Sequence, residues 1–368
     1  MNIVVNQQRL SKALSTVSKA VPVRTTLPSL EGILVNATED GTLLLTASDL
    51  DITIQKEIET EFTDGVGKFL VPARLFCEIV RKMPAGDLTL ELEDNKVKII
   101  SGYSKFEVVC LNHDFPDIRN VEENEKIILD SEMFKEMVKS TVFAASNDMT
   151  KGTLTGILTE VSEGNIRMVA VDGYRLALVN RPADVSCNAK FITPARVMQD
   201  ISKIISDEED AGNMRIIMDD SFTMFSIGET TVIARLLEGV FIDYESIIPK
   251  DMSIELLTDR DAMRDSIDRA SLLALDGRNN LVKFAIDDEN ITITSRAEIG
   301  SIREVVPISC KKGEPIEIGF NVKYIQDTLK VIDDAEILLK MEASIKPCVI
   351  LPSEGNSFLY LILPVRIS

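Results

Sequence analysis

The charged side chains with regular spacing are the residues in this sequence best placed to do chemistry. Three segments each carry two basic side chains seven residues apart with one acidic side chain between them: Arg74 and Arg81 around Glu78, Arg196 and Lys203 around Asp200, and Lys323 and Lys330 around Asp327. Seven residues are about two helical turns, so each basic pair lies on one face of a helix. Cations spaced in this way hold phosphates by charge and have no donor pattern for reading base edges.

Residues for catalysis or metal binding do not form a recognisable constellation. The single histidine, His113, lies in a polar turn, and the sequence contains no HExxH, GxSxG, GxxxxGK[ST] or GxGxxG motif. Acidic clusters such as Asp219-Asp220 and Asp287-Asp288-Glu289 separate predicted strands, as is typical of hairpin turns, and their spacing does not match an EF-hand. We therefore predict a protein that is not an enzyme, with no catalytic residue, no metal site and no cofactor.

The overall charge of the chain is strongly acidic. Its 368 residues include 59 Asp and Glu against 40 Lys and Arg, which gives a formal net charge of −19. Taken alone, this balance argues against a nucleic-acid partner, because proteins that bind phosphates usually carry excess Lys and Arg. The predicted helices are nevertheless basic, whereas the acidic surplus lies in predicted strands and turns. If the helices line one surface, that surface is basic on an otherwise acidic protein.

Cysteine usage and hydropathy indicate the compartment. The five cysteines are far apart in the sequence and form no CxxC motif, as is typical of thiols in a reducing cytosol. No apolar run approaches the roughly 20 residues of a membrane span, and the N-terminal segment lacks the long apolar core of a signal peptide. We therefore expect a soluble, cytoplasmic protein with no membrane partner.

A strand followed by a helix positions each basic pair. The pattern is written as GKFLVPARLFCEIVRKM at Gly67–Met83, as AKFITPARVMQDISKII at Ala189–Ile205, and more faintly as IEIGFNVKYIQDTLKVI at Ile316–Ile332. Pro or Asn follows the apolar strand, as suits the start of a helix, and apolar residues then recur at helical spacing. Three copies of one unit predict a tandem of three like domains.

The remaining segments repeat the same order of elements. We place the first domain at residues 1–120, the second at 127–250 and the third at 252–368, each running strand, helix, strands and then strand, helix, strands. The first helix of each domain also presents basic side chains outward, among them Lys12, Lys139 and Arg264. The predicted fold class is α+β, with two helices per domain packed on mostly antiparallel sheets.

Several motifs resemble one known family along essentially the whole chain. The three tandem domains, the strand–PAR–helix repeats, DFPD at 114–117, AVDGYRLAL at Ala170–Leu178 and the terminal LILPVRI at Leu361–Ile367 are similar to the beta subunits of bacterial DNA polymerase III, the sliding clamps. The resemblance implies the DNA clamp fold, with two chains closing head-to-tail into a ring. The ring encircles duplex DNA without sequence specificity and tethers a polymerase to its template.

The resemblance also implies residues that contact DNA. Arg24 in VRTTLP, together with Arg74, Arg81 and Arg196, matches DNA contacts of the family. The loop 146–153 aligns with a DNA-touching loop but carries Lys151 where aromatic residues stand in the family. With the helix cations from the charge pattern, the expected set is Lys12, Arg24, Arg74, Arg81, Lys139, Lys151, Arg196, Lys203, Arg264 and Lys323.

A partner-peptide pocket between the second and third domains is a further implication. The matching residues are Leu154, Gly173, Tyr174, Arg175, Leu176, Ile242, Ile247, Pro347, Leu361, Leu363, Pro364 and Val365. Ile242, Glu245 and Ser246 stand where the family often has Pro and Arg, which changes the polarity at that edge. A groove of apolar side chains beside one Arg suits an extended peptide with apolar anchors.

The dimer seam follows from the same resemblance. Phe106 and Val108 in the first domain, and Leu272 and Leu273 in the third, match the residues at which two chains meet. The partners implied are double-stranded DNA, a second copy of the chain, the catalytic subunit of DNA polymerase III, a clamp loader and other proteins with clamp-binding motifs. The alternative is an acidic three-domain scaffold that binds only proteins, with incidental helix charges, and retention on circular DNA separates the two.

Overall fold

A computed structural model describes residues 1–121, 125–185, 187–208, 211–275 and 280–367. The chain divides into two compact units. Unit 1 comprises Met1–Glu132 and Asp200–Leu236, and unit 2 comprises Met133–Gln199 and Leu237–Ser368.

The helices and strands repeat along the chain in the order that the sequence predicts. Up to residue 121 they are β1 (Asn2–Asn6), α1 (Gln7–Val17), β2 (Gly32–Ala37), β3 (Thr42–Ser48), β4 (Ile52–Glu59), β5 (Phe62–Asp64), β6 (Gly67–Pro72), α2 (Ala73–Lys82), β7 (Asp87–Glu93), β8 (Lys96–Ser101) and β9 (Ser104–Val109). The next set is β10 (Glu125–Asp130), α3 (Ser131–Lys139), β11 (Gly156–Ser162), β12 (Asn165–Val171), β13 (Arg175–Pro182), β14 (Ala189–Pro194), α4 (Ala195–Asp207), β15 (Asn213–Met218), β16 (Phe222–Ile227), β17 (Thr230–Arg235) and α5 (Tyr244–Ile247). The last set is β18 (Ile254–Asp259), α6 (Arg260–Ala274), β19 (Leu281–Ile286), β20 (Asn290–Ala297), β21 (Gly300–Lys312), β22 (Ile316–Asn321), α7 (Val322–Leu329), β23 (Glu336–Met341), β24 (Cys348–Pro352) and β25 (Phe358–Ile362).

Unit 1 contains two antiparallel sheets. One has the strand order β5-β1-β7-β8-β9, and the other has the order β10-β15-β16-β17-β4-β3-β2-β6. The second sheet combines strands from the first two sequence repeats, because β17 pairs with β4 and sets Val232 opposite Ile54. Both of these side chains are buried.

Unit 2 is built on one twelve-stranded sheet. Its order is β14-β11-β12-β13-β25-β24-β23-β18-β21-β20-β19-β22. Strands of the second and third repeats meet where β13 pairs antiparallel with β25, with Leu176 opposite Leu361. The α+β class with helices on mostly antiparallel sheets is therefore confirmed.

The repeated strand–helix motif folds as its apolar pattern predicts. In α2, Phe76 and Ile79 are buried as the apolar spacing predicts, and Arg74 and Arg81 are exposed on the other side. Leu75, which we also expected to face inward, is 52% exposed, whereas Val80 is fully buried. In the third copy the side chain of Asn321 accepts a hydrogen bond from the backbone N–H of Lys323 at 3.0 Å, which caps α7 as expected. The basic pairs are thus held on the solvent face of helices whose other face is core.

Apolar residues at helical spacing from Ser131 to Ala144 predict one helix over that range, and the helix in the structure is shorter. It ends at Lys139, and a 3₁₀ turn follows at Val142–Ala144. The hydroxyl of Thr141 donates to the backbone carbonyl of Met137 at 2.8 Å. A buried threonine that bonds backward in this way competes with the helical backbone, which accounts for the early end.

Candidate functional site

An apolar floor lies in unit 2 where β13 and β25 run side by side. Leu176 and Leu361, opposite each other on these strands, are both almost fully buried. Val349 on β24 and the side chains of Phe241 and Tyr244 complete the buried cluster, and Leu154 packs against it partly exposed. Three strands and the segment around α5 thereby bring together residues that are up to about 200 positions apart in the sequence.

The turn between β12 and β13 sets one edge of this floor. One side-chain oxygen of Asp172 accepts hydrogen bonds from the backbone N–H groups of Tyr174, at 2.8 Å, and Arg175, at 3.0 Å. Gly173 has a φ of 94°, a conformation that glycine adopts without the steric cost of a Cβ atom. The turn leaves the Tyr174 ring 56% exposed beside the floor.

Arg175 supports that ring and does not point into solvent. Its Nε lies 3.0 Å from Asp172 and its Nη1 lies 2.7 Å from Asp327, with the Arg175 side chain only 10% exposed. The guanidinium carbon is 4.6 Å from the centroid of the Tyr324 ring, and the rings of Tyr174 and Tyr324 stack at 6.1 Å. The guanidinium therefore holds an aromatic wall in place through charge pairs and cation–π contact.

The C-terminal segment runs directly beside this turn. After β25 the backbone N–H of Leu363 donates to the carbonyl of Tyr174 at 2.9 Å, and that of Val365 donates to Gly319 at 2.8 Å. The Leu363 side chain is 37% exposed, and Pro364 and Val365 are half-buried. Pro347, also half-buried, directly precedes β24, whose Cys348 is opposite Ile362.

The segment around α5 supplies two exposed apolar side chains. Ile242 and Ile247 are 42% and 38% exposed on either side of the buried Tyr244. The unusual neighbours make local contacts, since Glu245 lies 3.3 Å from Arg167 and the Ser246 hydroxyl donates to the carbonyl of Asp243. This edge is therefore mixed, with isoleucines beside an acidic residue.

Tyr244 is fixed beneath that edge by a polar network. Its hydroxyl donates to Glu160 at 2.5 Å and accepts from Arg167 at 3.1 Å, and Lys190 lies 2.9 Å from Glu160. Burial, followed by the hydrogen bond to Glu160, raises the pKa of Tyr244 to about 12. The phenol stays neutral and anchors the floor.

Lys151 lies beside the turn between β12 and β13. Its ammonium donates to the carbonyl of Asp172 at 2.8 Å and lies 5.6 Å from the centroid of the Tyr174 ring. We predicted Lys151 as a DNA contact, and the structure places it at the edge of the apolar groove. Sequence reasoning also missed Tyr324 and Asp327 as groove residues, although the third strand–helix repeat contains both.

The predicted DNA contacts lie on helices and one loop. Arg24, Arg74, Lys12, Lys139, Arg196 and Lys323 are exposed. Arg81 donates to both carboxylate oxygens of Glu78, at 2.7 and 2.8 Å, and Lys203 lies 3.4 Å from Asp200. Arg264 lies 2.9 Å from Asp261 and 3.1 Å from Asp265. In the first two copies of the strand–helix repeat, the acidic residue (Glu78 or Asp200) therefore pairs with the second cation of its own helix.

The predicted seam residues differ in exposure. Phe106 on β9, an edge strand of its sheet, is 46% exposed, and Leu272 on α6 is 76% exposed. Leu273 is half-buried. Val108 is 4% exposed because it faces the same core side as Val97, its partner on β8. Most of the apolar area available at these positions therefore belongs to Phe106 and Leu272.

Two absences hold for the part of the chain that the structure describes. Within it, no group of three or more His, Cys, Asp or Glu side chains could hold a metal ion. Across those same ranges, no helix has the length and apolar character needed to cross a membrane.

Comparisons with known proteins agree with this geometry. Three family profiles match in succession: the N-terminal domain of the DNA polymerase III beta subunit at residues 1–121, its central domain at 128–243 and its C-terminal domain at 245–366. The beta sliding clamp of Bacillus subtilis is 34% identical over 379 residues, with all of both chains covered. That of Staphylococcus aureus is 33% identical, with 100% of this chain and 99% of the relative covered.

Solved structures give the same assignment. A crystal structure of the DNA polymerase sliding clamp from Bacillus subtilis matches with a TM-score of 0.94 and 32% identity, covering 100% of both chains. A putative DNA polymerase III beta subunit from Eubacterium rectale matches with a TM-score of 0.94 and 33% identity, again over 100% of both. The class of protein that the fold and groove define is the DNA sliding clamp. The chain belongs to the DNA polymerase III beta subunit family.

Proposed function

We propose that this chain is a non-catalytic processivity factor, two copies of which close around duplex DNA and tether a replicative polymerase. The observation that carries the proposal is the apolar floor of unit 2, with the exposed side chains of Tyr174 and Leu363 side by side at one end of it. A groove with an apolar floor and few polar groups suits an extended peptide, whose alternate side chains point into it.

The side chains that line the groove contact different parts of a bound peptide. Leu176 and Leu361 form the floor against which an apolar anchor packs, and the Tyr174 ring covers one side of that anchor. Ile242 and Ile247 extend the apolar surface toward Glu245. A peptide with apolar anchors and no acidic residue at the Glu245 end therefore fits best, because like charges there repel.

Contact with DNA is carried by the helix cations. Exposed Arg and Lys side chains attract phosphates without reading sequence. Glu78 and Asp200 partly neutralise Arg81 and Lys203. Weak individual contacts of this kind favour movement along the duplex over tight binding at one place.

Closure requires that two chains meet end to end. Phe106 on the edge strand β9 and Leu272 on α6 supply exposed apolar surface for such a seam. The domain bounds proposed for this assembly are 1–120, 127–250 and 252–368. The proposed setting is the cytoplasm, where the partners are the catalytic subunit of DNA polymerase III, a clamp loader and other proteins carrying clamp-binding motifs.

The groove is tested by peptide capture. A peptide with the clamp-binding motif of the polymerase catalytic subunit is labelled, and its affinity is measured by fluorescence anisotropy for the natural chain and for Leu363→Asp. We expect the substitution to weaken binding by at least about tenfold, since it replaces an apolar contact by a charge. Ile367→Asp, at a position of similar exposure in the same segment, is the matched control. Equal weakening by both variants, or by neither, would place the peptide elsewhere.

A further inference from the structure

Unit 1 contains a second copy of the turn that forms the edge of the peptide groove. One side-chain oxygen of Asp49 accepts from the backbone N–H groups of Asp51, at 3.1 Å, and Ile52, at 2.8 Å. Asp172 accepts in the same way from the residues two and three positions after it. Leu50, which follows Asp49, has a φ of 77°, as Gly173, which follows Asp172, has a φ of 94°.

The strand pairing beside the two turns is also the same. Ile52 lies opposite Ala234 where β4 pairs with β17, as Arg175 lies opposite Ile362 where β13 pairs with β25. The next residue on the second strand closes each turn: the N–H of Arg235 donates to the carbonyl of Asp51 at 2.8 Å. The equivalent bond, from Leu363 to Tyr174, is 2.9 Å long. The correspondence therefore extends to individual hydrogen bonds.

A cavity lies next to the turn in unit 1. It has a volume of about 190 Å³, and its lining includes Leu50, Phe115, Ile118, Phe222 and Ile233. Its floor belongs to a small apolar cluster in which Ile233 is buried and Ile118 and Phe222 are partly buried. This arrangement is a smaller version of the floor in unit 2.

The segment 115–118 separates this cavity from a larger one. The neighbouring cavity has a volume of about 600 Å³ and shares Phe115, Pro116, Asp117 and Ile118 with the first. A volume of several hundred Å³ is in the range of sites that bind small molecules and short peptides. An extended peptide of a few residues can therefore lie across segment 115–118, with an anchor in each cavity.

The geometry of the turn does not explain why leucine occupies position 50, where φ is positive. A branched side chain is sterically disfavoured at positive φ, where glycine or asparagine is the usual residue. The Leu50 side chain is nevertheless 52% exposed at the mouth of the smaller cavity. Strained residues of this kind collect at ligand sites, and here the strain holds an apolar side chain where it can cover a bound group.

The charges around the two cavities indicate the sign of the occupant. Asp51 lines the smaller cavity with its side chain 77% exposed, and Asp114 and Asp117 line the larger. Lys68 and Arg119 are the cations in the two linings. Arg119 lies 3.8 Å from Asp219 and 5.1 Å from the Phe222 ring centroid, so part of its charge is already compensated. Asp51 is likewise 4.0 Å from Arg235, so the acidic excess of the two linings comes from Asp114 and Asp117. The surface favours a basic ligand.

We propose that Leu50, Phe115, Ile118, Phe222 and Ile233 form a second peptide-docking groove in unit 1, selective for an extended segment with apolar anchors flanked by Lys or Arg. The inference extends the proposed function, because the occupant is defined by likeness to the groove of unit 2. The two grooves would allow one chain to hold two partner segments at once. Their different side chains, Leu50 in place of Gly173 and Arg235 in place of Leu363, would give them different preferences.

Photo-crosslinking tests this groove directly. The probe is the acetylated, amidated peptide Gly-Lys-Leu-Ser-Bpa-Ser-Lys-Gly, in which Bpa is benzoylphenylalanine, so Leu and Bpa point to the same side of an extended chain. We expect crosslinks mapped by mass spectrometry to 48–53 or 115–119 in the natural dimer, persisting in Leu363→Asp. Leu50→Asn should lower the yield at those segments about tenfold, the factor for losing half the burial of one leucine.

Two variants and one peptide control the experiment. Asn tolerates the left-handed conformation, so Leu50→Asn should keep its unfolding temperature, and Leu50→Met should keep the crosslinks because it keeps an apolar side chain. A peptide with Glu in place of Lys should crosslink less at 115–119. Crosslinks confined to 361–365, or a yield at 115–119 that Leu50→Asn leaves unchanged, would overturn the inference. Crosslinks confined to 115–119 would support it, and the groove of unit 2 is tested separately by the anisotropy of the polymerase peptide.

Discussion

The guanidinium of Arg175 is joined to the carboxylate of Asp327 at 2.7 Å, which links the start of β13 to helix α7. The two residues are 152 positions apart in the chain, and their side chains are 10% and 23% exposed. The same guanidinium lies over the ring of Tyr324. One side chain therefore holds both the turn and the aromatic wall of the groove.

Replacing Arg175 should destabilise unit 2. Arg175→Ala leaves Asp172 and Asp327 without their cation in a poorly hydrated place, and breaking a buried pair from one side costs about 3 kcal/mol. We expect a lower urea midpoint by circular dichroism, with Arg175→Lys intermediate because it keeps the charge but not the fork or the stacking. Arg74→Ala, on the exposed face of α2, should change the free energy of unfolding by less than about 0.5 kcal/mol. An Arg175→Ala midpoint equal to that of Arg74→Ala would contradict this role.

The Glu160 network should make stability depend on pH. Burial alone would raise the pKa of Glu160, but the hydrogen bonds from Tyr244 and Lys190 and the charges of Lys190 and Arg167 outweigh it, so the net pKa is lowered. A carboxylate with a lowered folded-state pKa stabilises the fold fully above its unfolded value, about 4.3, and loses that contribution as the pH falls through the folded value.

Glu160→Gln should therefore lower the free energy of unfolding at pH 7 by about 1–2 kcal/mol. The difference from the natural chain should shrink as the pH falls below about 4. Unfolding midpoints measured at several pH values test this, with Glu163→Gln in the exposed β11–β12 turn as the control. A difference that stayed constant from pH 7 to pH 3 would show that the carboxylate charge is not involved.

Leu272→Ala should weaken association of two chains. Burial of a leucine side chain is worth roughly 1.5–3 kcal/mol, which corresponds to a rise of about 10- to 150-fold in the dimer dissociation constant. Sedimentation equilibrium measures this constant. Ile345→Ala is the matched control, since Ile345 is 74% exposed, close to the 76% of Leu272, and has no place in the proposed seam. Equal dissociation constants for Leu272→Ala and the natural chain would remove this residue from the seam.

Leu273 and Val108 also belong to the seam as we predicted it, but their exposed area is smaller. We expect Leu273→Ala to weaken the dimer less than Leu272→Ala does. Val108→Ala should act mainly on the stability of the sheet that contains β9, because the side chain packs inside it.

Much of the fold follows from the local sequence. The spacing of Phe76 and Ile79 within one helical stripe, and the Asn321 cap, are read from neighbouring residues, and the structure has both as predicted. Leu75, in the same predicted stripe, is exposed. The site is harder to predict from the sequence, because the contact of Arg175 with Asp327 depends on the pairing of β13 with β25. No local pattern contains that pairing. The position of Lys151 beside Tyr174 also depends on tertiary structure, so the local sequence does not predict it.

Alternation along β9 does not distinguish the two seam residues that we predicted on this strand. Val108 and Phe106 are two residues apart, so both side chains face the side of the sheet that holds Val97 and Ile99. Near the end of that core side Phe106 remains half-exposed, whereas Val108 is covered. Their different burial is therefore seen only in the structure, because the two residues share one edge strand and one side of the sheet.

Retention on closed circular DNA tests whether two chains form a ring around the duplex. The protein is loaded on a nicked circular plasmid with a clamp loader, unbound protein is removed by gel filtration, and the amount that stays with DNA is followed before and after the circle is cut by a restriction enzyme. A ring predicts a long-lived complex with the circle, even at high salt that weakens phosphate contacts, and rapid loss after linearisation. Loss at the same rate from circular and linear DNA would contradict the account.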